Sequence, residues 1–252
     1  MTTRLLAAPG QQAQLHEVLL PAWESGALRD PDGLMIAGTT LKDDASSWVV
    51  RICIDDEVVV IKRERHPDQW RRWRRMLRPS RARRAWSASH RLRAAGIACA
   101  EPLGWIERRH GPLYAASWLI SRHVPGVDAV SALAARRPEP ECHMQLLDAL
   151  ADVLLRLQRC GLAHGDLKAS NVLVGEDGLP VLIDLHAVHR PWFFRRARAF
   201  ERDRARLLRN WSTEPATVRA LQARLEGAGS SGPRVCARHR ASVAANEQEA
   251  GS

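Results

Sequence analysis

The segment His164-Gly165-Asp166-Leu167-Lys168-Ala169-Ser170-Asn171, followed by Val181-Leu182-Ile183-Asp184, holds an acid, an amide and a second acid. Their spacing suits phosphoryl transfer from a metal-bound nucleotide. Asp166 stands five residues before Asn171, and Asp184 thirteen after it. Magnesium is a hard cation that takes oxygen ligands, commonly one or two carboxylates plus the phosphates of its substrate. Asn171 and Asp184 carry oxygens for that role. Asp166 is the candidate base that orients and deprotonates an attacking hydroxyl. Lys168 is placed to neutralise charge on the transferring group. A loop whose Asp and Asn only cap turns would explain single residues but not the set.

These groups must be brought together by the chain between and before them. Val172-Leu173-Val174, the turn Gly175-Glu176-Asp177-Gly178 and the run Leu179 to Ile183 predict a tight hairpin that returns Asp184 to Asn171. Upstream, Glu57 to Lys62 is a β-branched run ending in a lysine, like the V-A-I-K strand of kinases, and Ser47 to Ile54 pairs with it across Asp55-Asp56. Lys62 is expected to reach the α- and β-phosphates. A strand at Leu34-Met35-Ile36 is expected to lead into Ala37-Gly38-Thr39-Thr40 as the turn over the phosphates, with Gly38 against the nucleotide. One glycine stands there where G-x-G-x-x-G has three. Residues 141–160, with Leu147, Leu150, Leu154 and Leu157 at helical spacing, predict a core helix that ends at Gly161 and carries the catalytic loop behind it. His143 is read as a surface residue and His164 as a structural brace. His186 and His189 are assigned no catalysis, with substrate contact left open.

With Ile183-Asp184-Leu185-His186, the loop His164–Asn171 resembles the bacterial lipopolysaccharide core kinases: the heptose and Kdo kinases and their InaA-type relatives. Leu77 to Trp86, then Leu92 to Ile97, is similar to the αC region of that family, and Asp203 to Trp211 to its closing helix. The resemblance spans about residues 30–226. It implies an α+β, bilobal protein-kinase-like fold with a small β-rich N-lobe and a reduced helical C-lobe. It also implies ATP and Mg2+ as cofactors, and phosphorylation of a heptose or Kdo sugar of the inner core at the cytoplasmic face of the inner membrane. Two departures stand out. Kinases of this type pair the strand lysine with a Glu on αC, but the stretch Ser80 to Ala95 holds no acid and reads Arg84-Ala85-Trp86 where the family has Arg-Glu-Trp. Either another acid stands in, Glu64 and Glu101 being nearest in sequence, or activity is low. The second departure is Gly165 where protein kinases carry an Arg that receives an activation-loop phosphate. Sugar and antibiotic kinases share this Gly. No Ala-Pro-Glu follows Asp184, so the peptide-docking part of the lobe is expected to be missing.

The expected organisation is an N-terminal extension at 1–30 with a helix from Gln11 to Trp23, an N-lobe at 31–124, a hinge at Val124-Pro125-Gly126, a C-lobe at 125–226 and a flexible tail at 227–252. The chain of 252 residues has no 18-residue apolar run, and no signal peptide is expected at its N-terminus. Its five cysteines lack C-x-x-C pairing, which fits reduced thiols in the cytoplasm. The net charge of +10 is concentrated in arginine. Lys62 to Arg84 holds eleven Lys/Arg around Trp70, Trp73, Met76 and Leu77, and Pro191-Trp192-Phe193-Phe194 leads into a second basic run. Such stretches suit an anionic membrane surface or a phosphorylated glycolipid, so a peripheral place at the inner membrane is expected and no nucleic-acid partner. A solvated basic face is the plain alternative. The competing functional readings are a small RIO-like protein kinase and a catalytically weak pseudokinase or binding module of the envelope.

Overall fold

The computed structural model describes residues 2–65, 79–110, 113–136 and 139–227. Ten strands and seven α-helices are found among them. A seven-stranded antiparallel sheet has the order β1-β2-β6-β7-β5-β4-β3. Its strands are β1 (Thr3–Ala8), β2 (Gln11–His16), β3 (Thr39–Asp43), β4 (Ser47–Ile54), β5 (Glu57–Glu64), β6 (Pro102–His110) and β7 (Leu113–Arg122). The short helices α1 (Leu20–Glu24) and α2 (Pro31–Ile36) come between β2 and β3. Leu19, Trp23, Leu28 and Met35 from this region pack with Leu15, Val59, Ile61, Ile106 and Trp118 of the sheet. The longer helix α3 (Arg81–Ala94) meets the sheet through Ala82, Trp86 and Trp105.

The second half is mainly helical. It contains α4 (Ala129–Ala135), α5 (Pro140–Arg159), α6 (Arg196–Arg209) and α7 (Pro215–Gly227), with a small sheet β10-β9-β8 formed by Val127–Asp128, Val172–Val174 and Pro180–Leu182. Leu146, Leu147, Leu150, Leu154 and Leu157 of α5 are buried, as the helical spacing requires. Each contributes about 1.5–3 kcal/mol of transfer free energy relative to exposure. They share one core with Leu207, Trp211, Leu221 and Leu225, and with Ala85, Ala88 and Leu92 of α3. Helix α3 therefore contributes to the packing of both halves.

Three local expectations are corrected. Gln11–His16 is a strand rather than the start of a helix; only Leu20–Glu24 is α-helical in that region. Its residues alternate in burial, Ala13 and Leu15 lie in the core, and it pairs with both β1 and β6. Pairing on both edges outweighs the helical propensity of Gln, Ala and Leu. Residues 3–16 thus join the large sheet. Leu34–Ile36 is the end of helix α2, started by Pro31 at its first position. Gly38 is outside the turn that joins β3 to β4. A Cβ there would meet Val50 Cγ1 at 2.3 Å and Arg51 O at 2.8 Å, so the glycine allows close packing against β4. The joining turn is Asp43-Asp44-Ala45-Ser46-Ser47, two acids and no glycine.

The hairpin expected after Asn171 is present, with Val172 opposite Leu182 and Val174 opposite Pro180. It is fixed to the segment after α3 by backbone bonds from Leu182 N to Ala98 O and from Ala100 N to Leu182 O. The aromatic-basic stretch at Trp70–Leu77 and the tail from residue 228 lie outside the described residues.

Candidate active site

Lys62 is on β5, between Val49 of β4 and Leu119 of β7. Strand alternation turns Val59 and Ile61 toward the core under α1 and α2, and leaves Lys62 and Glu64 on the opposite face, toward α3. Lys62 Nζ donates to Asp184 Oδ1 at 2.8 Å across 122 residues of sequence. It also lies 3.9 Å from Glu64 Oε1. Arg81 Nη1 of α3 donates to Glu64 Oε2 at 3.0 Å. Charges of alternating sign run Asp184, Lys62, Glu64, Arg81. With no acid on α3, the second carboxylate beside Lys62 is Glu64, two residues along the lysine's own strand, and α3 contributes a cation. Glu101, the other candidate, is occupied by Arg122 at 2.9 Å and Arg93 at 3.6 Å.

Asp184 follows β10 with φ 57°, a left-handed conformation uncommon outside glycine. His186 Nδ1 lies 2.7 Å from the same Oδ1 that receives Lys62. Burial opposes the charge on Asp184, but the His186 bond and the Lys62 ammonium outweigh it and hold the carboxyl well below the usual carboxylate range. Both recorded bonds fall on Oδ1, which leaves Oδ2 for a cation. Asn171 Nδ2 donates to Asp166 O at 2.9 Å, which turns the amide oxygen away from that carbonyl. An ionised carboxylate and an amide oxygen suit Mg2+. Among the described residues no group of three or more His, Cys, Asp and Glu could hold a metal ion.

Asp166 is braced by the residues around it. Lys168 Nζ is 3.1 Å from Asp166 Oδ2, and Asn171 Nδ2 reaches the same oxygen at 3.5 Å. The loop is supported from below by Asp203 of α6, a buried carboxylate. It accepts from His164 N at 2.7 Å and from Gly165 N at 3.0 Å. Arg206 donates to Gly165 O. Gly165 has φ 80°, and a Cβ would sit 2.6 Å from Ala187 O. Any side chain here, including the arginine of protein kinases, would collide with the turn after Asp184. His164 is fully buried; its Nε2 faces Ile183 O at 3.2 Å, so it joins the loop to the segment between β10 and Asp184. The expected bracing role of His164 agrees with this position.

The structure therefore brings Lys62 and Asp184 together, and Asp166, Lys168 and Asn171 together, and the 2.9 Å bond from Ile183 N to Asn171 O joins the two groups into one site. Gly38 is not part of it. Sequence reading gave Asp203 only as part of a closing helix and missed its hold on the loop. The available signal was an acid at the apolar spacing of α6, between Ala199 and Leu207.

Known proteins resemble this chain in sequence and in fold. The Lipopolysaccharide kinase (Kdo/WaaP) family matches residues 65–227. The chain belongs to that family. The match begins just after Glu64, so Lys62 and Glu64 are tied to the family residues by the bonds described above rather than by the match. The 3-deoxy-D-manno-octulosonic acid kinases of two Xylella fastidiosa strains, M23 and Temecula1, are 30% identical over 151 residues. The matched region is 55% of this chain and 55% of each relative, so the chain spans about half the length of the curated relatives it matches. A solved structure of WaaP in complex with acyl carrier protein shares the fold, with a TM-score of 0.60 over 84% of this chain and 88% of that one, at 21% identity. The mixed fold, a large antiparallel sheet joined to a helical half, is thus the kinase-like fold of this family.

Proposed function

We propose that this member of the lipopolysaccharide kinase family transfers the γ-phosphoryl group of ATP to a hydroxyl of a heptose or Kdo sugar of the lipopolysaccharide inner core. The observation that carries the reading is the bond between Lys62 and Asp184, next to a loop that holds Asp166, Lys168 and Asn171. In this reading residues 31–124 hold the nucleotide and residues 125–226 carry out the transfer. Asp184 and Asn171 would hold Mg2+, which when bound neutralises charge on the phosphates. Lys62 neutralises the α- and β-phosphates, and Glu64 keeps it in place. Asp166 orients the sugar hydroxyl and takes its proton as the oxygen attacks in line. Lys168 offsets charge on the moving phosphoryl group.

In this reading the enzyme works at the cytoplasmic face of the inner membrane, in peripheral contact with anionic lipid through its Arg/Trp-rich segments. No helix among the described residues is long and apolar enough to cross a membrane. Phosphate incorporation from ATP into isolated core lipopolysaccharide tests the reading. Wild type should label it, and Asp166→Ala and Asp184→Ala should not. Equal labelling by all three discards the mechanism.

A weaker binding module is the second reading, favoured by the turn over the cleft. Asp44 Oδ1 accepts from Ser46 N and Ser47 N at 2.8 Å each, so amides that could face phosphates are already bonded. Mg-ATP that leaves the unfolding temperature of the wild-type chain unchanged would favour this second reading.

A further inference from the structure

Trp192, Phe193 and Phe194 form an exposed aromatic cluster at the start of the one-turn helix Phe193–Arg195, just before α6. They are 74%, 77% and 63% exposed, three large apolar side chains in succession. The rings contact each other rather than the core. Trp192 stacks on Phe194 at 6.5 Å between centroids, and Phe193 meets Phe194 edge-on at 5.4 Å. The Arg195 guanidinium lies 5.5 Å from the Phe194 ring. Every residue from Trp192 to Arg198 is exposed. From His189 to Phe200 there are four arginines, Arg190, Arg195, Arg196 and Arg198, and no acid. None of the four is in an ion pair with a described carboxylate.

An exposed aromatic cluster of this kind forgoes about 1.5–3 kcal/mol of burial per ring, so it marks a surface that is covered in use. A protein partner or a bilayer could cover it. Four arginines without an ion-pair partner among the described carboxylates favour a bilayer with anionic headgroups. Aromatic rings suit the depth between headgroups and acyl chains, and each nearby arginine gains about 1 kcal/mol from the surface potential of anionic lipid. The cluster is also close to the chemistry. His189 and Ala163 exchange backbone bonds at 2.9 and 3.0 Å, immediately before the catalytic loop begins at His164. Arg190 reaches Cys160 O at 3.4 Å.

We propose that Trp192, Phe193 and Phe194 insert into the interface of an anionic phospholipid bilayer, with Arg190, Arg195, Arg196 and Arg198 on its headgroups. The insertion sets the catalytic loop at the membrane surface, where a lipid-anchored sugar is presented. Its purpose rests on the glycolipid reading above, but the surface itself does not, and the two can fail separately.

Co-sedimentation of the full chain with vesicles tests the proposal without phosphoryl transfer. Wild type should bind mixed phosphatidylcholine–phosphatidylglycerol vesicles and largely ignore pure phosphatidylcholine. The triple variant Trp192→Ser/Phe193→Ser/Phe194→Ser should partition about tenfold or more less strongly. Arg195→Gln/Arg198→Gln should weaken binding and lower its dependence on salt. These side chains are exposed, so both variants should keep the wild-type circular dichroism spectrum and unfolding temperature. Asp166→Ala should bind vesicles like wild type even if the kinase reading fails. Equal binding by wild type and the triple variant overturns the proposal. So does a wild type that ignores anionic vesicles. A wild-type dimer in light scattering that the triple variant splits would assign the cluster to a second copy and overturn it as well.

Discussion

Arg81 of α3 donates to Glu64 of β5 at 3.0 Å, and Glu64 in turn faces Lys62 at 3.9 Å. The usual arrangement has an αC acid that reaches across to the strand lysine. Here the helix carries the cation, and the acid is on the strand. Glu64→Gln removes the carboxylate charge 3.9 Å from Lys62 and should weaken Mg-ATP binding about tenfold, a loss of about 1.4 kcal/mol. Isothermal titration of wild type and variant checks it. Unchanged affinity would remove Glu64 from the nucleotide site.

Asp166→Ala should lower the turnover number by about 10²–10⁴, the range for loss of a positioned base, with KM for ATP little changed. Steady-state kinetics on core lipopolysaccharide measures both constants. A large rise in KM with turnover preserved would make Asp166 a binding residue instead.

Asp203 receives backbone N–H groups of His164 and Gly165 while buried in α6. Asp203→Ala leaves those donors unsatisfied, at a cost of about 3 kcal/mol of stability. For a chain of this size that is a fall of about 6–12 °C in Tm. Calorimetry gives the shift, and a variant as stable as wild type would show that the loop needs no support from α6.

Gly38 and Gly165 should respond differently to alanine. At Gly38 the added carbon meets β4, so stability should fall while Mg-ATP affinity of the folded protein holds. At Gly165 the conformation itself is unfavourable for a side chain, at about 1–3 kcal/mol, and the loop carrying Asp166 must move. Gly165→Ala should therefore lose turnover as well as stability. Parallel denaturation and kinetic measurements separate the two glycines.

Stability should also depend on pH through His164. Desolvation holds this buried ring below the ordinary histidine value, even though Asp203, Asp184 and Asp166 pull the other way. The folded chain then refuses a proton that the unfolded chain accepts. Stability is full above the unfolded value, about pH 6.5, and is lost as the pH falls below it until the folded value is reached. His164→Phe should flatten that slope by up to about 1.4 kcal/mol per pH unit. Urea unfolding across this window gives the slopes, and identical ones would clear His164.

Much of the site was legible because its parts are local. Asp166, Lys168 and Asn171 lie within six residues, and the hairpin to Asp184 is specified by its glycine turn. Lys62 was readable from its β-branched strand. What could not be read depends on non-local pairing. The strand at Gln11–His16 is set by its neighbour β6, about ninety residues away, and not by its own propensity. Gly38 looked like a phosphate contact because a turn glycine has the same letter whether it faces a ligand or a valine. For Lys62 the sequence leaves open a stand-in acid, with Glu64 and Glu101 nearest, or low activity; the ion pairs of Arg81 with Glu64 and of Arg122 with Glu101 are non-local and cannot be read from it.

Helix α3 buries Ala85, Ala88 and Leu92 with the helical core, and Ala82 and Trp86 against Trp105 of the sheet. It acts as a rivet. Swinging the two halves apart about Val124-Pro125-Gly126 would strip apolar surface from one end of that helix or the other. The parts left free to move are the acidic bend from Asp43 to Ser47 and the exposed edge strand before it, which lack the buried contacts that hold α3.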